Sequence, residues 1–168
     1  MLTDTILDDD RWTAANLTQI AETAARATLM HLGLDPDQFE IAILACDDAH
    51  IATLNADFRG KPTPTNVLSW PSEDRSVDLD GAAPALPMCA IPSMAEELGD
   101  IAIAWETCLR EAHEADKALS DHLTHLIVHA TLHLLGYDHI RDKDATLMEA
   151  IETEILGKMG ISDPYSEY

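Results

Sequence analysis

The chain has 168 residues, a length that one hydrophobic core can serve, and its composition of 46% hydrophobic and 5% aromatic residues calls for a mainly aliphatic core. With 31 Asp and Glu against 10 Lys and Arg the net charge is −21, which excludes a broad basic footprint and requires any contact with a polyanion to be local. Cys46, Cys89 and Cys108 form no C-x-x-C pair, and the start carries Asp4, Asp8, Asp9 and Asp10 without a basic or long apolar run; a disulfide framework, a thiolate zinc site, secretion and membrane insertion are all unsupported, so one cytoplasmic domain over 1–168 is expected.

From about Trp12 to His31, Leu17, Ile20, Ala21, Ala24 and Ala27 recur at helical spacing and Gly33 supplies a stop, predicting one amphipathic helix. Phe39, Ile41, Ile43 and Ala45 alternate as in a strand, and Asp47 or Asp48 can cap a helix over about Ala49 to Asp57. Gly60, Pro62 and Pro64 then break the pattern, which puts Arg59 and Lys61 in a loop just past that helix. Val67 to Trp70, closed by Pro71, suits a short strand.

The segment from about Glu73 to Glu97 holds Gly81, Pro84, Pro87, Pro92 and several acids, a composition that predicts an irregular, mobile insertion. Gly99 to Trp105 alternates as a strand and leads into a helix over about Glu106 to Ala115. Ser120 can cap a helix from Asp121 to Leu135 that Gly136 ends, and a last helix spans about Asp142 to Leu156.

The chemistry is concentrated near the end of the helix beginning at Asp121. His129 and His133 are four apart, so their rings leave one helical face a turn apart and can share an ion. A continued helix would carry His139 about 240° around from His133, out of reach. Gly136 removes that obstacle, because glycine accepts the positive φ that reverses the chain and brings Tyr137, Asp138 and His139 back across the same face. Three neutral imidazoles with an open fourth position are the donor set of a catalytic zinc, one ion per chain, able to lower the pKa of water towards about 7. His122 and His125 lie near this face as supporting or surface residues, and Asp138 offers either an acceptor that fixes a histidine tautomer or, equally, a solvent-exposed acid. The spacing is that of metzincin proteases, but Ala130 stands where their general-base glutamate belongs, which makes peptide hydrolysis the secondary reading.

The run HATLHLLGYDH from His129 to His139 resembles the signature of the YbeY family of bacterial metal-dependent endoribonucleases, or rRNA maturation factors. Two further blocks match in order, LNADFRGKPTPTNVLSWP from Leu54 to Pro71 and LGDIAI from Leu98 to Ile103. Ala130 stands where the family commonly has glycine, Asn66 where it often has aspartate, and Trp70 where phenylalanine is usual. The resemblance implies an α/β (mixed α+β) fold, a small mixed sheet of about four strands with five to six helices in one domain. It also implies a zinc ion on His129, His133 and His139, a functional arginine at Arg59, and action on single-stranded RNA in 16S rRNA 3′-end maturation and ribosome quality control, with the ribosome or its small subunit as partner. A guanidinium stays charged and fits phosphate oxygens in bidentate fashion, so Arg59 is the expected clamp on the scissile phosphate. Either water or the RNA's own 2′-hydroxyl can serve as nucleophile at such a site. A ribosome-assembly binding module with a structural metal is the reading from a different class.

Overall fold

In a computed structural model describing residues 1–91 and 93–165, the chain runs β1 (Thr3–Leu7), α1 (Arg11–Ala14), α2 (Leu17–His31), a 3-10 turn (Pro36–Gln38), β2 (Phe39–Cys46), α3 (Asp48–Arg59), β3 (Val67–Pro71), β4 (Glu96–Ala104), α4 (Trp105–Glu114), α5 (Leu119–Leu134) and α6 (Asp142–Lys158). The strands form one sheet in the order β1-β2-β4-β3, parallel except that β3 runs antiparallel to β4. The expected α/β fold, with a mixed four-stranded sheet and six helices, is what the chain adopts.

Strand alternation sorts the core into two layers. Ile41 and Ile43 of β2 and Ile101 and Ile103 of β4 join the large cluster with Leu29 of α2, Ile127 and Val128 of α5 and Met148 and Ile155 of α6. Residues of the alternate register, Cys46 of β2 and Ala102 and Ala104 of β4, turn to the opposite face and meet Ile51 of α3 and Leu68 of β3. Helix α5 is buried around most of its circumference, from Leu123 through Leu134, so it is the internal axis against which α2, α4 and α6 pack. Trimming one of these aliphatic side chains to alanine costs about 2 to 5 kcal/mol by loss of transfer energy and cavity formation.

Four features depart from the sequence expectation. The helix read over Trp12 to His31 is two helices, broken where Asn16 takes a left-handed φ of 57°; the break lets Trp12 bury completely and donate its indole N–H to the Cys46 carbonyl at 2.9 Å. Strand β1 had no hydrophobic alternation to announce it, since Asp4 is exposed, Ile6 is 61% exposed and its buried residue is Thr3. What holds it is polar: the buried Glu22 carboxylate accepts the backbone N–H of Leu2 (3.2 Å) and Thr3 (2.8 Å) and the Thr3 hydroxyl (2.7 Å). Helix α5 starts at Leu119 after Ala118, not behind a Ser120 cap, and the Ser120 carbonyl accepts the Thr124 hydroxyl from inside the first turn. Arg59 is the last residue of α3 and not a loop residue, with Gly60 capping the helix at φ 70°.

The 73–97 segment is irregular up to β4, but its first third is fastened to the fold. Arg75 donates to the carbonyls of Leu98 (3.3 Å) and Leu134 (3.0 Å) and to the Ser72 hydroxyl (3.1 Å). Arg141 donates to the carbonyls of Val77 (2.7 Å) and Asp78 (2.6 Å), while Asp144 accepts the Gly81 N–H at 2.8 Å. The outer part presents Leu86, Met88 and Ile91 to solvent. Limited proteolysis is therefore expected to cut first between Pro84 and Ile91, where few contacts hold the backbone, and late between Glu73 and Gly81; mass mapping that finds the reverse order would contradict this division.

Candidate metal centre

The site is built at the C-terminal end of α5. The helix closes in a Schellman arrangement, with the Gly136 N–H on the His133 carbonyl and the Tyr137 N–H on the Leu132 carbonyl, each at 3.1 Å. Gly136 has φ 103°, and a Cβ there would lie 2.3 Å from the Arg75 carbonyl oxygen, so no other residue fits without displacing backbone. Beyond it the chain doubles back, and His139 comes to rest with its ring centroid 5.1 Å from His129 and 5.0 Å from His133, which are themselves 4.5 Å apart. The three rings each offer one nitrogen within 4.8 Å of the others, a group that could hold a metal ion.

Hydrogen bonds fix which nitrogens face inward. His133 Nδ1 meets the Tyr137 carbonyl oxygen at 2.9 Å, and His129 Nδ1 meets the carboxylate of Glu152. A carbonyl and an ionised carboxylate can only accept, so both Nδ1 atoms carry hydrogen, and in the neutral rings the two Nε2 lone pairs face each other at 3.0 Å. Two facing lone pairs repel unless a cation or proton lies between them, so this donor set fits a metal. Burial, reinforced by His129 and His139, lowers the His133 pKa to about 4, so this ring is neutral and ready to ligate at pH 7.

Glu152 comes from α6 and is fully buried. Burial resists its ionisation, but hydrogen bonds with His125, His129 and Tyr165 outweigh that and hold its pKa at about 2. His125 Nε2 lies 3.4 Å from one carboxylate oxygen, which the Tyr165 hydroxyl also engages. His125, His129 and Glu152 thus form a second group with metal-ligand spacing that shares His129 with the first. His122 turns away to Glu111 at 3.0 Å. Asp138 is not the acceptor that fixes a ligand ring, because its carboxylate takes the His139 backbone N–H at 2.7 Å; Glu152 fills that role at His129. The signal for Glu152 was present in the sequence as an acid on the buried stripe of α6 between Met148 and Ile155.

Arg59 arrives from the opposite wall. Two adjoining clefts of about 460 and 630 Å³ meet at the histidines, and both are lined by Arg59, Ser69, His133 and His139. Arg59, His129, His133 and His139, the four residues singled out in the sequence, share the smaller of these clefts, supplied by α3, α5 and the turn after α5.

A family model for Endoribonuclease YbeY matches residues 5–160. The chain belongs to the YbeY family of endoribonucleases. It is 57% identical to a protein named Endoribonuclease YbeY from Ruegeria pomeroyi over 99% of both chains, and 57% identical to one of the same name from Jannaschia sp. over 96% of this chain and 98% of that one. A third YbeY, from Dinoroseobacter shibae, is 59% identical over 94% of this chain and 87% of its own. The solution structure of a Thermotoga maritima protein superposes with a TM-score of 0.50 over 98% of this chain and 99% of that one at 20% identity, a likeness in fold alone. Among the described residues no helix is long and apolar enough to cross a membrane.

The Glu152 pKa has a consequence for stability. A carboxyl held at about 2 in the fold, against 4.5 when free, contributes stability that is complete above pH 4.5 and lost as pH falls towards 2. The lowered His133 pKa acts in the same sense over a higher window, because below pH 6.5 the unfolded chain takes up a proton that the folded ring refuses until about pH 4. Metal-free protein should therefore lose unfolding free energy steadily from pH 6.5 to 2, and Glu152→Gln should flatten the part below 4.5. Parallel acid profiles for the two proteins in denaturant titrations would contradict the assignment.

Proposed function

We propose that this chain is a single-strand-specific endoribonuclease that depends on one zinc ion held by His129, His133 and His139, with Arg59 clamping the scissile phosphate. We place its action in 16S rRNA 3′-end maturation and ribosome quality control, in the cytoplasm and on the ribosome or its small subunit, as for the family it belongs to. The observation that carries the reading is the convergence of the Nε2 atoms of His129 and His133, 3.0 Å apart, beside His139 and in the same cavity as Arg59. Relatives named as endoribonucleases over nearly the full chain support RNA as the substrate.

Three imidazoles are a donor set that suits zinc, and the ion held there would supply Lewis acidity and acidify water. The chain's own residues do the rest. Glu152 and the Tyr137 carbonyl hold the His129 and His133 rings so that neither must reorganise. Arg59 meets no carboxylate among the described residues, which leaves its guanidinium free to bind the phosphate and offset negative charge that grows during cleavage. The small, buried Ala130 leaves the position of a peptidase's glutamate without a base, so the donor set supports phosphodiester cleavage over peptide hydrolysis.

The test separates metal binding from clamping. His133→Ala is expected to lose both bound zinc and cleavage of single-stranded RNA. Arg59→Ala should keep the zinc and the fold but lose about 10² to 10³ in rate, with Arg59→Lys recovering part of it because lysine lacks the bidentate fork. Full metal content in His133→Ala, or undiminished cleavage by Arg59→Ala, would overturn the respective assignment. Ribosome binding without any RNA cleavage by wild type would favour the binding module.

A further inference from the structure

Six arginines occur in the chain, and four of them meet a carboxylate: Arg11 with Asp9 and Glu106, Arg26 with Glu22 and Asp37, Arg110 with Glu114, and Arg141 with Asp144. Among the described residues the two that meet none are Arg59 and Arg75, and both line the cleft of about 630 Å³ beside His133 and His139. Lys61 lines it too and is likewise without a carboxylate partner. Among the described residues six of the ten Lys and Arg meet no carboxylate, and Arg59, Arg75 and Lys61 are three of those six. Three gathered in one cleft make a local anion track within an acidic surface.

The details of the cleft fit a strand of nucleic acid. Arg75 is fixed by neutral acceptors alone, the carbonyls of Leu98 and Leu134 and the Ser72 hydroxyl, so it is positioned without being neutralised. The two acids in the same cleft are already engaged: Asp74 accepts the Ser76 N–H at 3.0 Å, and Asp138 accepts the His139 N–H at 2.7 Å. Phe58, the residue before Arg59, also lines the cleft and is 49% exposed. Its edge-on contact with Trp70, centroid to centroid 5.3 Å, holds the ring in place. The adjoining cleft has the opposite character, since Arg59 is its one Lys or Arg and Glu149 and Glu152 are in its wall.

We propose that single-stranded RNA enters on the Phe58 side of the histidines, its phosphates tracking Arg75, Lys61 and Arg59 while a base stacks on Phe58. Stacking on an aromatic face is tolerant of base identity, and it selects unpaired strands because a base inside a duplex offers no free face. This proposal rests on the endonuclease reading and adds to it where the strand lies and which residue makes the site select single strands. It also accounts for how a chain of net charge −21 engages RNA: the contact is confined to one cleft.

The experiment is stopped-flow anisotropy of the zinc-loaded protein with a short fluorescein-labelled oligouridylate, which reads binding ahead of cleavage. Phe58→Ala should weaken binding about 5- to 100-fold, Phe58→Trp should retain it, and Phe58→Leu, apolar but unable to stack, should resemble Phe58→Ala. Lys61→Ala should lower the slope of log affinity against log salt by about 0.7, the share of one single-strand phosphate contact, while Lys158→Ala, at a residue whose ammonium meets His31 and which lines neither cleft, changes neither slope nor affinity. Unchanged zinc content and thermal midpoint in each variant exclude misfolding as the cause. Wild-type binding by Phe58→Leu together with a full salt slope in Lys61→Ala, in a protein that still binds and cuts RNA, would overturn the track and leave the nuclease intact. A wild type that neither binds nor cuts single-stranded RNA would overturn both.

Discussion

The close approach of the Arg75 carbonyl to Gly136 is the constraint on which the site depends. A carbonyl oxygen 2.3 Å from where a Cβ would sit leaves room for glycine alone, and at φ 103° the glycine turns the chain out of α5 and back over it. That one contact sets the 72–76 segment, whose Arg75 side chain enters the neighbouring cleft, against the turn that joins His133 at the helix end to His139. The helix end is satisfied as it turns, because Arg75 also caps the Leu134 carbonyl. The side chain that ties the loop down thus serves the helix terminus and the proposed RNA track at once.

Burial of charge is the second physical theme. A carboxylate without access to water is costly unless donors surround it, and Glu152 meets that requirement with two histidines and a tyrosine. Glu22 does the same for the N-terminal strand with backbone amides and a hydroxyl. In both cases the acid replaces apolar packing as the device that orders a segment, and in the first it also orients a ring of the proposed metal site.

Legibility in the sequence followed the strength of the periodic signal. Strand β2 alternates Phe39, Ile41 and Ile43 inward, and α5 carries an almost continuous apolar run, so both were visible. The His129, His133, Gly136 and His139 spacing encoded a turn as well as a donor set, which is why the cluster could be read before any coordinates. Strand β1 could not, because an edge strand fixed by Glu22 has no hydrophobic pattern to read. The partners of Glu152 were equally hidden: its place on the buried stripe of α6 was visible, but contact with His129 spans 23 residues and depends on how two helices pack. Asp138 was the nearer acceptor in sequence, yet its own neighbour's N–H captures it. Likewise the lack of a carboxylate partner at Arg59 and Arg75 is a property of the folded surface; in the sequence only the family resemblance set Arg59 apart, and nothing set Arg75 apart.

We propose that three imidazoles, two of them oriented by Glu152 and the Tyr137 carbonyl, present a three-nitrogen face with one position left open. Zinc K-edge X-ray absorption on the metal-loaded protein tests it directly. The predicted first shell has three nitrogens at about 2.0 to 2.1 Å and one light oxygen donor. A sulfur at about 2.3 Å, or a closed shell of four histidine nitrogens, would contradict it.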